Sequence, residues 1–585
     1  MEKQNRINCI KERMKVNGID ILLIPSEDPH LSEYPAQHWK LRQLISGFTG
    51  SNGFLILSKY GDGLWTDSRY YLQAEQELKG TSIHMYKESE SSWLSWLEEQ
   101  PKKSRIGLNG LYFSQNDFES IEKVCQTHQF SLNSNIILPE ENDMPSLPLS
   151  ELFIHDSRFE KRCFQEKKEL VFSNCSSEYL LLCSLDEIAW VFNLRASDID
   201  YNPMAIGYGI LGKSESYIFL SNPNISNDVK NYFIQNNIHY DYPYESIFDF
   251  THQLSQNKKI SVDPQKTNTT LYNRIKKENL IREQSPIEQL KSIKTKDEIS
   301  SIYNAEKKDG VALTKAYLEI VSKLNDKQRI GEQDVATIFL KHRSAQKDFF
   351  CESFSTIAGY GANGAIVHYN SSLGNNTPIG KDNLLLVDSG ANYLDGTTDI
   401  TRVFCFGDPT DQQKRDYTLV LKGHIAIATC KFPYGTEGPH IDALARQHLW
   451  KEGLDYGHGT GHGIGFFLCV HEGPQRINRK FNNVKLAEGM VLSDEPGLYR
   501  THQYGIRIEN MVVVEKCQET EFGIFLKFNT LTLFPYERKL IDKGMLTTEE
   551  IEWINQYHQK VYDELVPLLS SENEKIWLKN ATNKL

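Results

Sequence analysis

The feature that most restricts this chain is a set of carboxylates placed where carboxylates are rare. Asp388 ends the run Leu384-Leu385-Leu386-Val387, apolar enough to be buried on both faces, and Asp399 follows Thr397-Thr398 on what reads as the returning strand. Ser493-Asp494-Glu495-Pro496-Gly497 closes a strand expected over 490–492, and Gly505-Ile506-Arg507-Ile508-Glu509-Asn510 leads into one expected over 511–514. Asp and Glu are depleted in strands and seldom buried without a partner. A fold that puts them there must supply compensating charge. Strand alternation sets Arg507 and Glu509 on one face, with Ile506 and Ile508 on the other, so Arg507 reads as charge balance for a site dense in carboxylates.

Simple hairpin geometry does not bring the first two carboxylates together. With Asp395-Gly396 as the tight turn, Asp388 and Asp399 share a face but stand out of step, roughly 13 Å apart at about 3.3 Å per residue. Sharing an ion then requires a register shift, by a bulge or a wider turn. Taken singly, either aspartate reads equally well as a turn residue.

A glycine-spaced histidine segment follows, Gly457-His458-Gly459-Thr460-Gly461-His462-Gly463. The glycines disfavour a helix and favour an extended segment, in which His458 and His462 face the same way roughly 13 Å apart. One of them is then a metal ligand and the other faces a substrate. A lone histidine usually reads as a hydrogen-bonded structural residue, but flanking glycines let backbone and ligand approach closely. His471-Glu472-Gly473-Pro474 brings a third histidine to the region. Four carboxylates and one imidazole form a hard, oxygen-rich donor set, suited to Mn²⁺ with Zn²⁺, Co²⁺ or Fe²⁺ as alternatives, and larger than one tetrahedral zinc takes. Two ions about 3.5–4 Å apart would polarise a carbonyl and generate hydroxide near neutral pH. The expected chemistry is amide hydrolysis.

Two other patterns are set aside. Gly359-Tyr360-Gly361-Ala362-Asn363-Gly364 has GxGxxG spacing, but the following Ala-Ile-Val-His-Tyr reads as a strand and not as the phosphate-binding helix a dinucleotide site requires. Ser51 and Ser389 have glycine neighbours without completing GxSxG, so a serine nucleophile lacks support.

At 585 residues the chain exceeds what one core serves, and two to four domains are expected. Seams at LPEENDMPSLPLS (138–150) and REQSPIEQLKSIKTKDE (282–298) divide it into 1–143, 144–288 and 289–585. The first two modules share an order of features: a polar helical opening, an apolar strand (IDILLIP, EYLLLCS), a polar loop, and strands such as GFLIL and ESYIFL. They read as duplicated α/β modules. The third opens on a capping box, Thr295 with Glu298, after which Ile299, Ile302, Leu313, Ala316, Tyr317, Ile320 and Leu324 recur at helical spacing. Its hairpin-like runs LLLVDSGANYLDGTTDITRVF and YGIRIENMVVVE make it α+β with antiparallel pairing. The net charge of −12 is spread without a basic stripe, so nucleic acid is not an expected partner. No signal-like or 18-residue apolar segment is present, so neither export nor membrane insertion is expected. Ten cysteines without a CxxC pair suggest reduced thiols in a cytoplasm.

The order Asp388, Asp399, GHGTGHG with His462, EPG with Glu495 and IRIEN with Glu509 resembles the pita-bread metallopeptidases, the fold of methionine aminopeptidase, prolidase and aminopeptidase P. FTGSNG (48–53), LWTDSRYYLQA (64–74), SLDEIAWVFNLR (184–195) and LTLFPYERKLIDKGMLTTEEIEWINQYH (531–558) are similar to the three-domain, cytosolic type of Xaa-Pro aminopeptidase. The resemblance covers almost the whole length, with no ligand missing. It implies two N-terminal α/β (creatinase-like) domains followed by a C-terminal pita-bread α+β catalytic domain. It also implies that Asp388 chelates one of two divalent ions, that His462 and Glu495 hold the other, and that Asp399 and Glu509 bridge. Glu495 would also handle the proton of the nucleophilic water. His368, His458 and His471 match histidines that bind substrate and stabilise the tetrahedral intermediate, and Arg507 matches the charged neighbour of the last bridging ligand. The implied reaction releases the N-terminal residue from peptides with proline second, by attack of a metal-bridging hydroxide, in a cytoplasmic homodimer. Prolidase is the alternative enzyme, disfavoured by its usual two-domain build. A catalytically dead binding module is the alternative outside catalysis, and such modules generally lose ligands that are intact here.

Overall fold

A computed structural model describes residues 3–585. Its contacts define two units: the chain up to His155 with Arg162–Ile287, and Asp156–Lys161 with Glu288–Leu585.

In the first unit, the fully buried strand Ile21–Ile24 pairs antiparallel with Phe54–Ser58 and parallel with Arg105–Gly107. The complete sheet runs Ile83–Lys87, Asp62–Thr66, Phe54–Ser58, Ile21–Ile24, Arg105–Gly107, Ser131–Asn133. Each parallel step needs a crossover; the last is made by helix Gln115–His128, which Ser114 caps by accepting from the Asp117 N–H. The second sheet of this unit runs Ile238–His239, Ser216–Leu220, Gly207–Gly212, Tyr179–Leu182, Ile260–Val262, Leu280–Arg282. Strand order and the sense of every pairing repeat those of the first sheet. That repetition agrees with a duplicated α/β module.

The second unit opens on the long helix Lys296–Asn325. Thr295 Oγ1 accepts from the Glu298 N–H at 3.2 Å and Glu298 Oε2 from the Thr295 N–H at 2.6 Å, the capping box read in the sequence. Ile302, Leu313, Ala316 and Ile320 are buried along it. Its sheets are antiparallel throughout. One orders strands Ile357–Tyr360, Leu385–Ser389 and Ile400–Phe404; another orders Lys431–Pro433, Gly523–Thr530, Asn510–Thr520 and Val491–Asp494. The hairpin Gly497–Arg500 with Tyr504–Arg507 and the short pair Gly461–His462 with Arg476–Ile477 complete the region of interest. Among the described residues, no helix is long and apolar enough to cross a membrane.

Three local expectations are corrected. The tight turn is Leu394-Asp395 and not Asp395-Gly396, because Tyr393 pairs with Gly396 and Asn392 with Thr397. The same register continues to Asp388 opposite Thr401, so no bulge is needed: moving the turn by one residue leaves Asp399 a diagonal neighbour of Asp388, at roughly 7–8 Å. The cause is packing. A Cβ on Gly396 would lie 3.0 Å from Ile302 Cα, so the glycine is used for close passage of the long helix, while buried Asp395 pairs with Lys308 at 2.7 Å. Second, residues after Gly364 form no strand; a 3₁₀ helix, Gly361–Ala365, runs into a turn closed by the Tyr369 N–H on Ile366 O at 3.1 Å. Third, the glycine-rich histidine segment is extended only at Gly461–His462, with a bend at His458, so the straight-strand separation of the two histidines does not apply.

Candidate metal centre

The two antiparallel halves of the second unit are tied together at the carboxylates. The Glu509 N–H donates to Thr401 O at 3.2 Å, and Thr401 Oγ1 donates to Glu509 Oε2 at 2.7 Å. The Glu495 N–H donates to Thr460 O at 2.8 Å, and the His462 N–H to Ser493 Oγ at 3.0 Å. Asp388 lies in strand Leu385–Ser389 and Asp399 just precedes its partner Ile400–Phe404, while Glu495 follows strand Val491–Asp494 and Glu509 precedes its partner Asn510–Thr520.

One donor atom each from Asp399, His462 and Glu509 lies within 4.8 Å of the other two. His462 Nε2 is 3.5 Å from Asp399 Oδ2 and 3.7 Å from Glu495 Oε1, while Nδ1 is 3.0 Å from the Gly463 carbonyl oxygen. A carbonyl accepts only, so Nδ1 carries a proton and Nε2 is the ring atom turned to the carboxylate oxygens. A neutral imidazole in this position, like the carboxylates around it, offers a lone pair to a cation. Asp388 adds the same signal: Oδ2 accepts from Arg507 Nη2 at 2.6 Å, while Oδ1 is buried with no hydrogen-bond partner among the described residues. The donor set therefore fits divalent ions, and it exceeds what one tetrahedral ion uses.

The electrostatics agree. Burial, then the neighbouring carboxylates Glu509, Asp388 and Glu495, push the Asp399 carboxyl well above its ordinary range, and Arg507 opposes them. Burial, Asp388 and Glu495 do the same to Glu509, against the Thr401 hydrogen bond and Arg507. Asp388, Asp399, Glu509 and Arg507 form a buried floor; Glu495, His458, His462 and His471 are half-buried around it.

The other expected residues take distinct places. His471 packs edge-on against His462 with ring centres 4.4 Å apart. His458 Nδ1 is 3.9 Å from Glu495 Oε2, so the two histidines of the glycine-rich segment flank the two oxygens of one carboxylate. His368 lies half-buried in the turn after the 3₁₀ helix Gly361–Ala365, and that helix packs on strand Tyr504–Arg507. Two participants were missed in the sequence. Thr401, which accepts from Arg507 Nε at 3.2 Å as well as binding Glu509, stands two residues after Asp399 in a strand, where alternation alone gives it the same face. Tyr499 accepts from Arg507 Nη1 at 2.7 Å and meets His458 Nε2 at 2.8 Å; it reaches them across a hairpin, and no local pattern marks it.

Comparison with known proteins follows the same outline. Residues 6–138 and 143–298 each match the creatinase/prolidase N-terminal domain, residues 301–516 match metallopeptidase family M24, and residues 524–585 match the C-terminal region of peptidase M24. The chain is 36% identical to Xaa-Pro aminopeptidase 1 of Dictyostelium discoideum over 99% of its own length and 96% of that protein. The chain belongs to the Xaa-Pro aminopeptidase family of M24 metallopeptidases. Aminopeptidase P2 of Arabidopsis thaliana is 35% identical across 97% of this chain and 86% of the relative. Among solved structures, the X-prolyl aminopeptidase of Caenorhabditis elegans, described as a cytosolic enzyme with a di-nuclear active site, superposes with a TM-score of 0.92 at 31% identity, over 97% of this chain and 95% of that one. The fold is accordingly two creatinase-type α/β domains followed by an M24 catalytic domain of the pita-bread type. A Xaa-Pro dipeptidase from Bacillus anthracis shares the fold over only 64% of this chain, with a TM-score of 0.51 and 22% identity.

Proposed function

We propose that this chain is a metal-dependent aminopeptidase that releases the N-terminal residue from peptides with proline at the second position. The observation that carries the reading is His462 Nε2 turned toward Asp399 and Glu495, in a chain related over its full length to Xaa-Pro aminopeptidases.

Asp388, Asp399, His462, Glu495 and Glu509 would hold two divalent ions between them, Asp388 toward one and His462 with Glu495 toward the other; Mn²⁺ would be the preferred metal, since oxygen donors dominate the set. When bound, such ions polarise the scissile carbonyl and lower the pKa of the attacking water. The chain's own groups do the rest. Glu495, half-buried between two imidazoles, takes the proton of that water and passes it to the departing nitrogen, a proline nitrogen that leaves as a secondary amine. Arg507 orients Asp388 through its hydrogen bond to Oδ2. His471 and His368 bind the substrate and stabilise the developing negative charge on its carbonyl oxygen; His458, whose ring nitrogens meet Gly459 O and the Tyr499 hydroxyl, lines the same side of the site. Domains at 1–143, 144–288 and 289–585, a homodimer and a cytoplasmic setting complete the reading, supported by the family resemblance.

The test is an assay of chelated protein on Xaa-Pro-Yaa peptides before and after Mn²⁺ is returned. The expected result is metal-restored release of the first residue. Turnover of Xaa-Pro dipeptides alone, or full turnover by protein that contains no transition ion, would overturn it.

A further inference from the structure

The turn that carries His368 belongs to a segment with little regular structure, two 3₁₀ turns at Gly361–Ala365 and Ser371–Leu373. Several of its hydrogen bonds converge on one side chain. Glu332, the first residue of helix Glu332–Ser344, is 0% exposed. Its Oε1 accepts from the Tyr360 N–H at 2.7 Å and from Asn363 Nδ2 at 2.9 Å; its Oε2 accepts from the Tyr369 hydroxyl at 2.8 Å and from the Thr377 N–H at 3.3 Å. The Glu332 N–H in turn donates to Thr377 O at 3.2 Å.

Three features set this carboxylate apart from an ordinary buried ion-pair member. Every one of these partners is a neutral donor, and no Lys, Arg or His pairs with it among the described residues. The carboxyl sits at the first residue of a helix, where carboxylates are favoured. The donors also come from one stretch of chain and bracket His368 on both sides, with Tyr369 its immediate neighbour. Burial, then the hydrogen bond to Glu332, raise the pKa of the Tyr369 phenol, which keeps it a donor. On its far side the segment has no freedom either: a Cβ on Gly505 would fall 1.7 Å from Gly364 O, so backbone meets backbone beside the strand that ends in Arg507.

We propose that Glu332 is a positioning residue that fixes the turn presenting His368 to the peptide, and so sets how well substrate is held without touching substrate or metal itself. This rests on the assignment of His368 to the substrate side of the site. A misplacement of about 1 Å in a binding group can cost on the order of a hundredfold in rate, so a carboxylate at the root of the turn has leverage on turnover.

The test is a double-mutant cycle on Mn²⁺-loaded, full-length protein with a Xaa-Pro-Yaa tripeptide, reading kcat and KM separately alongside bound metal and Tm. Glu332→Gln presents an amide N–H to donors in the same shape. It is expected to lose at least about tenfold in kcat/KM with metal content unchanged, and to cost less than about twofold when added to His368→Ala, since coupled sites are non-additive. Tyr369→Phe, which removes one donor only, should show a smaller loss with the same non-additivity, and it carries the cycle if Glu332→Gln does not fold. Losses that multiply fully in the double variant, or a Glu332→Gln enzyme within twofold of wild type, overturn the proposal while leaving the substrate role of His368 standing. Wild-type turnover by His368→Ala removes that role and the proposal together.

Discussion

Arg507 grips Asp388, its Nη2 donating to Oδ2 at 2.6 Å in the buried floor of the site. It is the positive charge set against four acidic groups, and Tyr499, Asp388, Glu495 and Glu509 hold its pKa well above the usual value although burial opposes them. Arg507→Gln should therefore destabilise the metal-free protein by about 3–5 kcal/mol, the penalty for uncompensated buried charge. Denaturant unfolding of chelated wild type and variant measures it. Because bound ions supply positive charge of their own, the gap should narrow when Mn²⁺ is present.

Asp399 behaves in the opposite sense. Its carboxyl pKa is raised by burial and by Glu509, Asp388 and Glu495, so the folded state holds a proton that the unfolded chain releases near pH 4. Between that pH and the raised folded value, stability of the metal-free protein falls as pH rises. Asp399→Asn should unfold later than wild type at pH 7 when both are chelated, by about 1–3 kcal/mol. The same variant should lose at least about a thousandfold in turnover and most of its bound metal, which separates a functional loss from a folding one.

Tyr499 joins His458 to Arg507 through its hydroxyl. Tyr499→Phe keeps the ring and deletes the link. The expected effect is a kcat lower by about ten- to a hundredfold, the scale of a hydrogen bond to a charged group, with bound metal unchanged by elemental analysis.

His558, far along the chain in helix Thr548–Leu565, is 0% exposed and accepts from the Tyr536 N–H through Nε2 at 3.2 Å. Burial, then Arg538 and Arg402, press its pKa down to about 3. The unfolded chain binds this proton from about pH 6.5 downward and the folded one does not until about pH 3, so stability is full above pH 6.5 and declines by up to about 1.4 kcal/mol per pH unit below it. His558→Gln should flatten the slope between pH 6 and 4 in urea titrations, whatever it does to stability at neutral pH.

How much of this was readable beforehand differs from residue to residue. Asp388, Asp399, Glu495 and Glu509 draw notice as candidates because charge beside an apolar strand is costly enough to need a reason, and His462 because glycines flank it. Strand alternation was enough for the shared face of Arg507 and Glu509. The turn was misplaced by one residue because Asp-Gly is a strong local signal, and what overrides it is a helix passing against Gly396, a contact from far away in sequence. The run after Gly364 looked like a strand by its apolar residues, yet its neighbours Asn363 and Tyr369 are drawn off to Glu332. Tyr499 was silent for a related reason: its two partners lie across a hairpin and in a bent glycine segment, and nothing in its own vicinity reports them.

The position of that turn has a consequence for how the gene can vary. The stretch between Asp388 and Asp399 works as a ruler, since the pairings of Asn392 with Thr397 near the turn and of Asp388 with Thr401 beyond Gly390 keep one register. Adding or removing a single residue reverses the facing of everything beyond it. Changes of length are excluded here, and a library that shuffles its loop lengths should return functional clones with the native spacing only. The exposed tip around Phe522, 81% exposed between strands Asn510–Thr520 and Gly523–Thr530, carries no such constraint and is where an inserted tag or reporter belongs.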